Sequence, residues 1–304
     1  MIASAPMSRP AALALALLAS SLPVAGQPPP PTGPLAGDVR AAVAGCACEV
    51  RLFAKNLETG ATFGLGGDDL VRTASTIKLA VMVEAFDRVA RGEAGWDEPL
   101  ALTAEAKVGG AGILFEFAPG LRLTLRDAVH LMIVVSDNTA TNLVIDRLGA
   151  DAVNARMDAI DLPRTRLLRK VFGGGDSRAG LDPANRRFGL GVTTPREMVT
   201  LLEKLERGEV VSKEASAEMI GMLKRQQFHD GIGRTLTGVT IANKTGALDR
   251  LRSDVGIVYS ERGRIAMAIT VDDLPEVAWN TENPGLVLLS RLSLALLDGL
   301  GSLR

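Results

Sequence analysis

Three short clusters hold the side chains with the clearest chemical use. Ser75 opens Ser-Thr-Ile-Lys, with Lys78 three residues on. A helix sets positions i and i+3 on one face, so the lysine amine can reach the serine hydroxyl. A serine is a weak nucleophile until a base takes its proton, and a nearby lysine or a helix start meets that need. Ser136-Asp137-Asn138 interrupts the otherwise apolar run LMIVVSDNTATNLVIDRL. A hydroxyl, a carboxylate and an amide in succession are costly to bury unless they are satisfied, so they face a cleft or hold one together. Lys244-Thr245-Gly246 ends an expected strand, where glycine permits a close backbone approach and the lysine supplies positive charge.

Each cluster alone has a bland reading: a solvated lysine after a helix start, a helix cap, and an edge lysine beside a turn. Together, in order and 61 and then 108 residues apart, they are far more specific.

The elements that must position them follow from the pattern. Residues 48–55 alternate apolar and polar as a strand does, 56–60 read as a turn and 61–65 as the return strand. Asp38 is placed to cap a short helix through Val43. Helical spacing covers 77–90 and 125–148, with a break near Ser136; 195–206 starts with Thr-Thr-Pro, and 212–225 follows. Late strands are expected at 239–244, 253–260 and 264–272, and a closing helix at 286–297. The expected fold class is α+β, an α/β sandwich. One antiparallel sheet carries the terminal helices, and an all-helical lobe is inserted at about residues 72–236. Residues 169–191, with six glycines and four arginines, read as a long irregular loop.

Composition excludes some classes. The 304 residues are 47% hydrophobic and 23% charged, with formal net charge −1. That balance gives no footprint for nucleic acid or an acidic membrane. Residues 1–26 read as a secretory signal: Arg9, an apolar stretch from Pro10 to Leu22, then Val24 and Gly26 before a cut at Gln27. Residues 27–34 form a Pro-rich tether and 35–304 the catalytic domain. The expected location is secreted, in the bacterial periplasm, with no membrane span after cleavage. Cys46 and Cys48 would share a strand face with their Cα atoms near the upper limit for a bridge, so two buried thiols are favoured over a strained disulfide. With only His130 and His229 as histidines, no metal site and no cofactor are expected.

The three clusters, with TASTIKLAVM, TTPREMVTLLEKL and ANKTG followed by SDVGIVY, resemble class A β-lactamases and the wider penicillin-recognising serine hydrolases. The likeness runs from about residue 38 to 300. It implies that Ser75 forms an acyl-enzyme, Lys78 helps to deprotonate it and Ser136 relays a proton to the leaving nitrogen. Asn138 would bind the substrate's amide side chain; Lys244, Thr245 and Gly246 would hold its carboxylate, with Arg252 or Arg250 as a second contact. The backbone N–H groups of Ser75 and Ala247 would form the oxyanion hole. The implied substrate is a small β-lactam or a peptidoglycan-like amide, handled by a monomer.

One element of that pattern is missing. Class A enzymes carry, in the loop before the Thr-Thr-Pro helix, a Glu that activates the deacylating water, followed four residues later by Asn. Here that region reads VFGGGDSRAGLDPANRRFGLGVTTP and has no Glu. Asp176 and Asp182 are its only acids and the candidate bases; without a base, the acyl group should leave slowly. Other readings are a penicillin-binding DD-peptidase or esterase-like hydrolase, and a non-catalytic cell-wall ligand-binding module. A Ser-His-Asp hydrolase is disfavoured, because no Gly-x-Ser-x-Gly occurs and His130 reads as packed.

Overall fold

A computed structural model describes Met1 and residues 33–301. The expected signal segment and most of the tether lie outside the described residues. The body within Pro31–Arg304 is considered by itself.

Helix Pro34–Val43 (α1) precedes strand Glu49–Asn56 (β1), which turns back as Thr62–Leu65 (β2). A short strand, Val71–Arg72 (β3), leads through a 3-10 turn, Ala74–Ile77, into helix Lys78–Ala90 (α2). Strands Pro99–Ala101 (β4) and Arg122–Thr124 (β5) lead to helices Leu125–Val134 (α3), Asn138–Leu148 (α4) and Ala150–Ala159 (α5). Strand Arg166–Leu167 (β6), helix Arg178–Leu181 (α6) and strand Gly191–Thr193 (β7) frame the expected loop. Helices Pro195–Glu206 (α7) and Lys213–Leu223 (α8) return the chain to strands Thr240–Leu248 (β8), Leu251–Ser260 (β9) and Gly263–Asp272 (β10), and to helix Pro284–Leu300 (α9).

The main sheet runs β2-β1-β10-β9-β8, joining strands from both ends of the chain. Register is fixed by what each face buries. Leu52, Ala54, Met267 and Ile269 turn to the side of α1 and α9, while Phe53, Val255, Ile257 and Ala268 turn to the helical side. Both faces are therefore covered, and β9 is buried from Leu251 to Val258. The helical lobe centres on α2, whose residues Lys78 to Phe86 are all buried. A helix buried on every side belongs in the middle of a bundle, and its apolar run LAVMV is long enough for that. The expected α+β sandwich with an inserted helical lobe is what forms.

Local signals set the boundaries. Thr124 and Asp127 form a capping box at the start of α3, Asp137 caps α4, and Thr194 caps α7 ahead of Pro195. Asp38 is not a cap: α1 begins four residues earlier, with Pro34 in its first turn after Gly33. The Lys244-Thr245-Gly246 cluster lies inside β8 rather than at its end, because the strand runs on to Leu248. Cys46 and Cys48 are bridged, not free, and their Cα atoms are 5.2 Å apart. The chain bends at residues 47–48 before β1 begins, which shortens the span that an extended strand would impose.

Candidate active site

The Ser75 turn is held from three sides. Ala74, just before Ser75, has φ +45°, a conformation that costs a non-glycine residue energy and persists only when neighbours enforce it. Thr76 donates from its N–H (3.1 Å) and its hydroxyl (2.8 Å) to the Thr73 carbonyl, and Thr73 N–H donates to the Gly191 carbonyl at 3.1 Å. Ile77 is fully buried behind the turn. On the open side β8 comes very close: a Cβ on Gly246 would sit 2.7 Å from the Thr73 oxygen and 3.2 Å from Ser75 N. Only glycine permits that approach. It leaves the Ser75 N–H beside the Gly246 backbone.

Two lysines meet at one hydroxyl. Lys78 Nζ lies 3.1 Å from Ser136 Oγ, 2.7 Å from the Ser136 carbonyl and 3.0 Å from Asn138 Oδ1. Lys244 Nζ lies 3.0 Å from the same Ser136 Oγ and donates to the Thr245 carbonyl at 2.9 Å. Both lysines are fully buried. Ser136 itself has φ +55°, so the hydroxyl between the amines is held by strained backbone. The Lys78 amine is turned to Ser136 and Asn138; Ser75 Oγ has no hydrogen-bond partner among the described residues.

Burial pushes the Lys78 amine well below the usual lysine range; the Lys244 charge lowers it further, and the Asp137 carboxylate opposes both. Burial brings Lys244 down to about 7, against the pull of the Asp254 carboxylate. Burial and a neighbouring like charge both favour the neutral amine at Lys78, the form in which a lysine can accept a proton.

Asp137 and Asp254 support this cluster, and sequence reasoning gave neither a role of its own. Asp137 accepts from Ala140 N–H (2.8 Å), Ile113 N–H (2.6 Å) and Leu114 N–H (2.9 Å), which ties the 108–114 segment to α4. Asn138 adds two bonds to that segment, N–H to the Ala111 carbonyl and Nδ2 to the Gly109 carbonyl, each 3.0 Å. Asp254 is fully buried and accepts from Asn243 Nδ2 and Ile232 N–H, both at 2.9 Å. The signal for Asp137 was present as the middle residue of the second cluster; the only signal for Asp254 was a carboxylate inside an apolar strand.

The remaining candidates are placed as follows. Thr245 is half-buried and Ala247 exposed on β8. Arg252 is committed elsewhere: it donates to the Leu248 (2.6 Å), Leu251 (2.7 Å) and Ala278 carbonyls and lies under the Trp279 ring. Arg250 donates to the Leu274 carbonyl at 3.4 Å. Asp182 caps the turn 183–188 through Ala184 N–H at 2.9 Å, and Asp176 is exposed. Neither perturbs Lys78, whose charged neighbours are Lys244 and Asp137. His130 is held between the Arg126 carbonyl and Arg225, as a packed histidine would be.

The loop residues that approach the site are apolar. Asn142 lies one turn beyond Asn138 on α4, hence on the same face. Its side chain accepts from Val171 N–H (2.9 Å) and donates to the Val171 carbonyl (3.2 Å). Next to it, the Phe172 ring comes within 3.6 Å of where a Cβ on Gly110 would stand, a point itself 2.8 Å from Asn138 Nδ2.

A strained serine turn beside two buried, depressed lysines, at the seam of an antiparallel sheet and a helical lobe, defines a serine hydrolase of the lysine-assisted, acyl-transferring class. The chain belongs to the β-lactamase enzyme family, whose family model matches residues 34–300. The crystal structure of a β-lactamase from Sphaerobacter thermophilus DSM 20745 is 31% identical, with TM-score 0.77, over 89% of this chain and 98% of that one. The structure of PBP-A is 27% identical, with TM-score 0.74, over 89% and 98%. A PBP-A point mutant, an acyl-enzyme complex with penicillin G, is 26% identical, with TM-score 0.75, over 87% and 95%. No curated protein matches the chain.

Proposed function

We propose that this protein opens β-lactam rings through an acyl-enzyme on Ser75 and releases the acyl group slowly. The observation that carries the reading is Ser136 Oγ, 3.1 Å from Lys78 Nζ and 3.0 Å from Lys244 Nζ. An ammonium has three protons to donate; a neutral amine has two and a lone pair. With Lys78 neutral, its lone pair takes the Ser75 proton as Oγ adds to the lactam carbonyl. The oxyanion that forms is held by the Ser75 and Ala247 N–H groups, a contribution of about 3 kcal/mol per donor. The C–N bond then breaks, the Ser136 proton passes to the leaving nitrogen, and Ser136 recovers its proton from Lys78. Lys244, Thr245 and Gly246 bind the substrate carboxylate, and Asn138 its amide side chain.

Release needs a second base, aimed at water, and the loop offers none: Val171 and Phe172 stand where it approaches the site, while Asp176 and Asp182 face solvent. The likeness to PBP-A, known as an acyl-enzyme with penicillin G in mutant form, supports a penicillin-binding hydrolase of this kind. The bridged Cys46–Cys48 pair supports an oxidising location such as the periplasm. The test is mass spectrometry after incubation with benzylpenicillin, followed by stopped-flow nitrocefin kinetics. A stable Ser75 adduct and a burst followed by slow turnover are expected. Absence of any adduct would leave the non-catalytic binding module standing; rapid linear turnover would show that a base is supplied.

A further inference from the structure

We infer that Asp254 is a positioning residue for the proposed acylation site: behind β8 it holds the negative charge that balances Lys244 while the lysine binds a substrate carboxylate. The inference rests on the proposed reading and extends it to the other face of the sheet.

Asp254 lies inside β9 and is fully buried. In register it stands opposite Thr245, while Val255 stands opposite Lys244. Strand side chains alternate, so the Lys244 amine turns to the helical lobe and the Asp254 carboxylate to the side of α1 and α9. Two glycines make room for it. A Cβ on Gly231 would collide with Asp254 Oδ2, and one on Gly256 would stand 2.7 Å from the Asn243 Cβ. Asn243 Nδ2 donates to Oδ1 and the Ile232 N–H to Oδ2, each at 2.9 Å. Ser293, on α9, holds the Ile232 carbonyl at 2.9 Å, so the donor is itself fixed.

Both donors are neutral. Among the described residues, the charge that acts on this carboxylate is that of Lys244, and the carboxylate that acts on Lys244 is Asp254. A buried charge is costly unless an opposite charge compensates it. From the helical side Lys244 meets Ser136, with Lys78 on α2 and Asp137 beside Ser136. Asp137 attracts the Lys78 charge as Asp254 attracts that of Lys244. The placement separates charge balance from hydrogen bonding. A carboxylate beside the Lys244 amine would occupy its protons; one behind the strand leaves them for Ser136 and for a substrate.

Asp254→Asn removes the charge and keeps the shape. Asn243 Oδ1 is buried without a partner, so the Asn243 amide can turn and accept from the introduced amide, whose oxygen keeps the Ile232 N–H. Acylation of Ser75 by benzylpenicillin is followed against pH in both proteins. Without the carboxylate, Lys244 loses its proton at lower pH. The falling limb should move to lower pH by at least about half a unit, a loss of about threefold above the limb and little below it. In a Lys244→Arg background the same substitution should move no limb, because the guanidinium stays charged. An unmoved limb overturns the inference. So does an equal fall at every pH in both backgrounds, which would make Asp254 a structural residue. If the variant does not fold, the carbon NMR signal of the Asp254 carboxyl in the wild-type protein decides. It must stay ionised across the limb, and a carboxyl protonated there overturns the inference. No Ser75 adduct in the wild type at any pH is a separate result: it withdraws the proposed reading and this inference with it, whereas an unmoved limb withdraws the inference alone.

Discussion

The lysine pocket and the loop between β6 and β7 meet successive turns of one face of α4 and are built on opposite principles. In the pocket, Lys78, Ser136, Asn138 and Lys244 are buried, mutually bonded and anchored by Asp137. In the loop, charged side chains face outward, three successive glycines have positive φ, and the contact with α4 runs through Val171 backbone. Acylation needs groups with shifted proton affinity, and low dielectric supplies that shift. Deacylation needs one more charged group aimed at water, and this loop turns an apolar surface to the site instead. On the proposed reading, the two halves of a hydrolytic cycle are unequally equipped.

The largest effect should come from removing the nucleophile. Ser75→Ala should lower benzylpenicillin acylation by at least about 10^4-fold, with no adduct by mass spectrometry. Labelling that survives would move the acyl group off Ser75 and dissolve the comparison. The next test repairs the weaker half. Val171→Glu puts a carboxylate at the residue fastened one helical turn from Asn138, and a positioned general base contributes about 10^2-fold or more. Acyl release, followed as loss of adduct mass, should accelerate by roughly that factor while acylation stays within about twofold. Unchanged release would mean that the loop is too distant for any side chain at this position to reach the water.

The pocket was largely legible in the sequence, for a physical reason. Ser75, Lys78, Ser136, Asn138 and Lys244 are polar residues inside apolar runs, and a polar residue in such a place must be satisfied by something specific. The strands and helices were legible for the same reason, since burial imposes periodicity. What sequence could not supply was the direction of side chains in irregular backbone. Arg252 has the right charge near the right strand, yet three backbone carbonyls claim its guanidinium. The 46–48 segment was assumed to be extended, and its bend is what permits the bridge. Val171 gave no signal, because its placement rests on Asn142, 29 residues earlier.

A pH profile sharpens the electrostatic side of the contrast. Lys78 must be neutral to act as base, so acylation should rise as pH climbs through its depressed transition. Lys244 must be charged to hold a carboxylate, so acylation should fall above about 7, the value to which burial brings it. The falling limb should approach about tenfold per pH unit. Lys244→Arg keeps the charge at every accessible pH. Even if the bulkier head slows the reaction, the falling limb should vanish. A limb that persists in the arginine variant would assign it to another group.

The smallest effect tests the loop acids directly. Asp182 accepts from Ala184 N–H and so caps the 183–188 turn. Asp182→Ala should cost about 1 kcal/mol, a fall of roughly 2 °C in thermal midpoint for a domain of this size. Asp182→Asn keeps an acceptor at the cap and should leave the midpoint in place. Neither variant should change the rate of acyl release, because the Asp182 carboxylate is exposed and is held by the backbone of its own turn. Asp176→Asn, at an exposed position, should change neither quantity. The stability loss and the unchanged release belong together: one shows that the substitution was felt, the other that catalysis did not feel it. If either Asp→Asn variant slows release by about tenfold, a loop carboxylate does reach the water. The division between a complete acylating pocket and an unarmed loop would then have to be withdrawn.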